Sequence, residues 1–160
     1  MLGINDGKEI KNISQQVAAV ASGMGDVVGI VIGKSISEAA MKLATSKIII
    51  AEDDGLEHYD PVKFTSVVSQ VVKQVSASKV LIGARTMGMD LGPRVAVELE
   101  WGYLGDCLEA ESDDFVRPNF AGKVLAKSNP DGPVVASIRN NAYPAGESWS
   151  GTVENFTGNI

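Results

Sequence analysis

The residues most suited to chemistry lie between Gly83 and Leu99, in the order Gly-Ala-Arg-Thr-Met-Gly-Met-Asp-Leu-Gly-Pro-Arg-Val-Ala-Val-Glu-Leu. The stretch follows a strand-like run, Lys79 to Ile82, and opens into a helix-like run, Leu91 to Glu100. A glycine-rich turn between a buried strand and a helix start is where α/β sheets bind anions and nucleotides, through backbone N–H groups and the helix dipole. Gly83, Gly88 and Gly92 would let the backbone bend and approach a ligand, and the mid-turn place of Gly88 predicts a positive φ. Asp90 is the expected N-cap, and Pro93 suits a first helical turn. The candidate cofactor-binding set is therefore Gly83, Ala84, Arg85, Thr86, Gly88, Asp90 and Arg94, joined by Asp53 from a neighbouring strand end. Arg85 and Arg94 would offer charge to a phosphate, and acid at a strand end can take ribose hydroxyls. Each has a structural counterpart: a tight turn for the loop, a salt bridge for Arg94, and a cap or solvated loop for Asp53. The loop is neither a P-loop, since no Gly-Lys-Ser/Thr follows, nor the Gly-x-Gly-x-x-Gly of a dinucleotide fold. AMP or ATP is the ligand this reading names.

Other chemistry is poorly supplied. The single histidine, His58, lies in a loop and has no second histidine or cysteine with which to hold zinc. Cys107, the single cysteine, follows Asp106 in a predicted strand and reads as buried and inert. No catalytic triad can be assembled. We expect no catalytic residues, no metal site and no catalysis by the isolated chain. The net charge of −6 leaves no basic stripe for nucleic acid. No apolar run reaches the ~18 residues of a membrane span, and no leader opens the sequence, so the expected location is the cytoplasm.

The elements that must position the loop are legible from their periods. Val27 to Ile32, Lys47 to Ala51 and Lys79 to Ile82 are β-branched runs without polar interruption, the pattern of strands covered on both faces. Between them lie helical patterns. Ile10, Ile13, Val17 and Val20 repeat at helical spacing, and Ser35 with Glu38 reads as a capping box before Ala39 to Ala44. Asp60-Pro61 opens a third helix, with Phe64, Val67, Val68, Val71, Val72 and Val75 on one stripe. Leu2 and Ile4 are long enough only for a strand stub. After Trp101-Gly102, three extended segments, Tyr103 to Glu111, Phe115 to Lys127 and Pro133 to Arg139, are separated by turn residues and read as hairpins. The predicted fold is α/β, a three-layer, mostly parallel sheet with right-handed crossovers and an antiparallel extension. Residues 1–145 form the domain, and 146–160, rich in Gly, Ser, Thr and Asn, read as an exposed tail or the start of an interdomain linker.

Taken together, these pieces resemble the α subunit of the electron-transfer flavoproteins. Gly83 to Ala96 is similar to the family's Gly-Ala-Thr-x-x-Gly-Arg-Asp-Leu-Ala-Pro-Arg-Val-Ala pattern, with Met89 where the family often has Arg. Ile48 to Asp53, Tyr59-Asp60-Pro61, Val116-Arg117-Pro118, Ala121-Gly122-Lys123 and Ile138 to Ala145 follow in the family's order. The resemblance implies a Rossmann-like fold of the adenine nucleotide α-hydrolase type, as in the N-terminal domain of that subunit. It further implies a structural and partner-contacting role in soluble flavin electron transfer. In the family FAD is carried by a second domain whose motifs are absent here, so this chain alone is expected not to retain FAD. The related β subunit uses its equivalent glycine-rich loop for AMP. The partner implied is a β-type subunit or a second copy of the chain. A small adenine-nucleotide module and a bare oligomerisation scaffold are the competing readings.

Overall fold

The computed structural model describes residues 1–147 and 151–160. Among the described residues, ten strands and four helices follow one another. They are β1 (Leu2–Gly3), α1 (Asn12–Ser22), β2 (Val28–Gly33), α2 (Ser37–Ala40), β3 (Lys47–Glu52), α3 (Pro61–Gln74), β4 (Lys79–Ala84), α4 (Thr86–Leu99), β5 (Gly102–Cys107), β6 (Glu109–Glu111), β7 (Asp114–Asn119), β8 (Val124–Ser128), β9 (Val134–Arg139) and β10 (Thr152–Asn155). β1, β2, β3 and β10 pair in parallel in the order β1-β2-β3-β10. β4, β9 and β5 form a second parallel group, and β1 lies against β4, so the two groups abut. β6, β7 and β8 make the antiparallel extension. The fold is thus the expected α/β class, a mostly parallel sheet with an antiparallel addition.

The apolar runs form strands because both faces of the sheet are covered. Ile48, Ile49 and Ile50 are at most 2% exposed. Along β4 the alternation is direct: a Cβ on Gly83 would meet Ile13 of α1 at 2.4 Å, whereas Ile82 lies on the side of Gly88 in α4. Successive residues therefore face opposite helical layers. α3 packs beside α4 and buries Phe64, Val67, Val68, Val71 and Val72, the predicted stripe. Its start is fixed by Asp60, whose carboxylate accepts from Val62 N at 2.9 Å and Lys63 N at 3.1 Å.

Four local expectations are corrected. The Ser35–Glu38 capping box does not form. Ser35 takes a left-handed φ of 52°, α2 is a single turn capped by no side chain, and the Ser37 hydroxyl bonds Glu52 instead. The segment Phe115 to Lys127 is two strands, turned through Phe120, Ala121 and Gly122 at φ of 50°, 55° and 84°. Pro133 to Arg139 is no hairpin arm: β9 inserts between β4 and β5 and runs parallel to both. Part of the span read as a tail is a strand, β10, in register against β3 from Thr152↔Lys47 to Asn155↔Ile50. Residues 148–150 of that span lie outside the described residues.

Candidate functional site

The sheet order reverses direction between β1 and β4, and in open α/β sheets ligands gather beyond the carboxyl ends of strands at such a point. A cleft of about 500 Å³ lies there. Its walls are the loop after β1 (Asn5 to Lys8), the end of β2 (Gly33 to Ser35), and Leu56 to Tyr59, with Phe64 and Met87. The loop after β1 satisfies much of its own hydrogen bonding. Asn5 Nδ2 donates to Ile32 O at 3.0 Å while its Oδ1 accepts from Gly7 N, and Asp6 accepts from the N–H groups of Lys8 and Glu9 and from Lys11. Lys34 is held between Asp54 (3.3 Å) and Glu57 (3.2 Å).

The predicted site residues do not line this cleft; only their neighbour Met87 does. α4 begins at Thr86, well before the expected start at Leu91, with Arg85 at its N-cap and no side-chain cap. Asp90 and Pro93 therefore sit inside the helix, and neither caps nor opens it. The early start arises because the turn is very tight: Arg85 N donates to Gly83 O, and Met89 N already closes the first helical bond on Arg85 O, both at 2.8 Å. Ala84 ends β4 and Thr86 is the first helical residue.

The glycines explain themselves by packing. Gly88 is buried and helical, not at positive φ. A Cβ there would fall 2.0 Å from Gly83 O and 3.1 Å from Ile82 Cγ1. A Cβ on Gly92 would meet the Tyr103 ring at 2.7 Å. Gly83, Gly88 and Gly92 let α1, α4 and β5 close upon β4 and one another, a use of glycine that sequence cannot separate from ligand approach.

The charged members also have protein partners. Arg94 donates to Asp90 from Nε (3.1 Å) and Nη2 (3.0 Å), one helical turn apart. Asp90 also accepts from the Tyr59 hydroxyl at 2.6 Å, and the Tyr59 ring meets Phe64 edge-on at 5.1 Å between centroids. Arg94, then Tyr59, holds the Asp90 carboxyl below the usual range. Burial, then Asp90, pushes the Tyr59 phenol upward. The trio ties the loop before α3 to α4. Asp53 accepts from Gly55 N at 2.7 Å and caps a short 3-10 turn, Asp54–Leu56. Arg85 is exposed, with no ion pair among the described residues. No group of three or more His, Cys, Asp or Glu residues is placed to hold a metal among the described residues. Burial pushes the Cys107 thiol up to about 11, and the side chain is fully enclosed.

The sequence supplies more apolar residues here than one sheet face needs, namely Phe115, Val116, Phe120, Val124 and Leu125, and the β7–β8 hairpin tip exposes three of them. Phe120, Leu125 and Val124 are 77%, 58% and 49% exposed. Leu125 opposes Pro118 and Val124 opposes Asn119, so successive apolar side chains leave both faces of the hairpin. Three exposed apolar side chains thus stand at the tip of one hairpin. What the sequence does not show is the turn that brings Phe120, Val124 and Leu125 to one tip, or that Phe115 is fully buried rather than part of that surface.

Comparison with known proteins gives a consistent picture. Residues 4–159 match the family model described as the electron transfer flavoprotein domain. The chain is 31% identical to the electron transfer flavoprotein subunit alpha of Bacillus subtilis (strain 168), over 96% of this chain and 51% of that protein. It is 33% identical to a probable mitochondrial electron transfer flavoprotein subunit alpha of Schizosaccharomyces pombe, over 86% of this chain and 42% of that protein. It is also 33% identical to an acryloyl-CoA reductase electron transfer subunit beta of Anaerotignum propionicum, over 54% of this chain and 24% of that protein. The chain thus spans about half the length of the curated alpha-subunit relatives it matches.

Proposed function

Because this chain belongs to the electron transfer flavoprotein family, we propose that it is the structural, partner-contacting lobe of a water-soluble flavin electron-transfer assembly, as in the family's α subunits. The observation that carries this reading is the apolar β7–β8 tip, where Phe120 stands 77% exposed. An ordinary solvated hairpin has no need of it, and a partner of the β-subunit type, or a second copy, would cover it. We read the lobe as non-catalytic: Asp90, Arg94 and Tyr59, the perturbed groups nearest the predicted loop, are bonded to one another and tie the loop before α3 to α4.

Neither FAD nor AMP is retained by this chain on its own account. The cleft at the switch point supports this by its donor set. Asp6 and Glu57 stand in its wall beside Lys8 and Lys34, and Lys34 is already neutralised by Asp54 and Glu57. A pyrophosphate or phosphate placed there would face Asp6 and Glu57, with Lys8 as the one cation of the wall that has no carboxylate partner among the described residues. The family's flavin chemistry accordingly belongs elsewhere in the assembly. Gel filtration of the pure chain after incubation with excess FAD tests this: no flavin absorbance should travel with the protein. Near-stoichiometric flavin in the protein peak would refute it.

A further inference from the structure

The segment carrying β10 is attached to the domain in an unusual manner: its docking is specific but shallow. All four residues of β10 are exposed, so the strand adds no buried side chain to the core. What holds it is main chain and a few ties. Thr152 N donates to Ser46 O at 3.0 Å, and Phe156 N donates to Ile50 O at 2.8 Å. Lys47 Nζ meets Glu154 at 2.9 Å on one face of the pair. Beyond the strand, the Gln70 side chain of α3 clasps one residue from both sides. Its Nε2 donates to Asn159 O at 2.8 Å and its Oε1 accepts from Asn159 N at 3.0 Å.

Both ends rest on glycine. A Cβ on Gly151 would fall 2.2 Å from Thr45 O. One on Gly158 would fall 2.2 Å from the Phe156 ring and 2.3 Å from Gln70 Oε1. Phe156 is the one side chain of the segment that packs on the core, and it does so partly. The strand underneath does not depend on the cover. β3 keeps its other edge paired with β2 through six residues, and Ile48, Ile49 and Ile50 are buried in the helical layers above and below the sheet.

We propose that residues 152–159 form a detachable strap that leaves and rejoins the edge of β3 while the rest of the fold stays intact, with the Gln70 amide as its latch. Elements with few buried apolar contacts and exposed backbone bonds open at lower free energy than the whole molecule. The open form bares the outer edge of β3 at Lys47 to Ile50, a row of unpaired main-chain groups. The strap therefore governs whether that edge is available.

Native-state hydrogen exchange on the full chain tests this. The amides of Thr152, Phe156 and Asn159 should exchange through a local opening with little denaturant dependence, far faster than those of β4. Gln70→Ala should speed strap exchange roughly tenfold, about the effect of losing the hydrogen bonds it makes, with β4 exchange and the melting midpoint unchanged. Gly158→Ala, which crowds Phe156 and Gln70, should act in the same direction. Strap amides that exchange together with β4, at the same rate and denaturant slope, would overturn the proposal. So would a Gln70→Ala variant that left strap exchange unchanged, or one that loosened strap and β4 equally.

Discussion

Gly88 shows how one residue type serves two readings at the residue scale. In sequence it sits mid-turn and invites a left-handed conformation; in the fold it is helical, and its missing Cβ lets α4 rest on the end of β4. Gly88→Val should destabilise the protein by about 1–3 kcal/mol through overpacking against Gly83 O and Ile82. Gly88→Ala should cost nearly as much, because the first carbon already collides. Chemical denaturation checks both, and an Ala variant as stable as the parent would contradict the close packing of Gly88 on the end of β4. A second prediction concerns acid. The carboxyls of Asp6, Asp90 and Asp114 are held below their ordinary range, chiefly by bonds to Lys11, Arg94 and Lys127. The unfolded chain binds protons to these groups at higher pH than the native one does. Their contribution is therefore present above about pH 4 and is lost as pH falls toward the native values. The urea midpoint should drop below about pH 4, and Asp90→Asn should flatten part of that drop. Of the site residues read from sequence, the Arg94 salt bridge and the Asp53 cap were legible as alternatives. The choice between protein and ligand partners was not, because it depends on Asp90 and Gly55 lying within reach.

Elements were legible where period and punctuation agree. β2, β3 and β4 are continuous apolar runs, and α3 has Asp60-Pro61 at its start and a valine stripe behind it. They failed to show where the local rule is broken. α4 starts without any capping side chain, so Asp90 drew the boundary too late. The β7–β8 turn uses Phe120 and Ala121 in left-handed conformations that their residue types disfavour. β9 carries the sequence of a hairpin arm but is claimed by the gap between β4 and β5, a matter of topology. Tyr143 adds a tie between the parallel sheet and its extension, beside the packing of β7 on β5. Its hydroxyl accepts from Ala110 N at 2.6 Å and donates to Ala110 O at 3.3 Å, fastening β6 to the segment after β9. Tyr143→Phe should cost about 1–3 kcal/mol, since it leaves the buried Ala110 N–H without its acceptor. Thermal unfolding would show a lowered midpoint; no change would mean that water replaces the hydroxyl.

At the scale of the molecule, the central strands of the parallel sheet, β2, β3, β4 and β9, are sealed on both faces, whereas the antiparallel extension ends in apolar side chains exposed to water. No described helix is long and apolar enough to cross a membrane; a protein partner is the occupant we assign to these side chains. Phe120→Asp with Leu125→Asp changes only exposed positions and should leave the melting midpoint within the small range usual for surface substitutions. Sedimentation velocity, with the chain at micromolar concentration alone and mixed with a β-type electron-transfer flavoprotein subunit, tests the central claim most directly. We predict a larger species for the parent chain and its loss in the Phe120→Asp/Leu125→Asp variant. A parent chain that sediments only as a monomer under both conditions, or a variant that associates as well as the parent, would contradict the account.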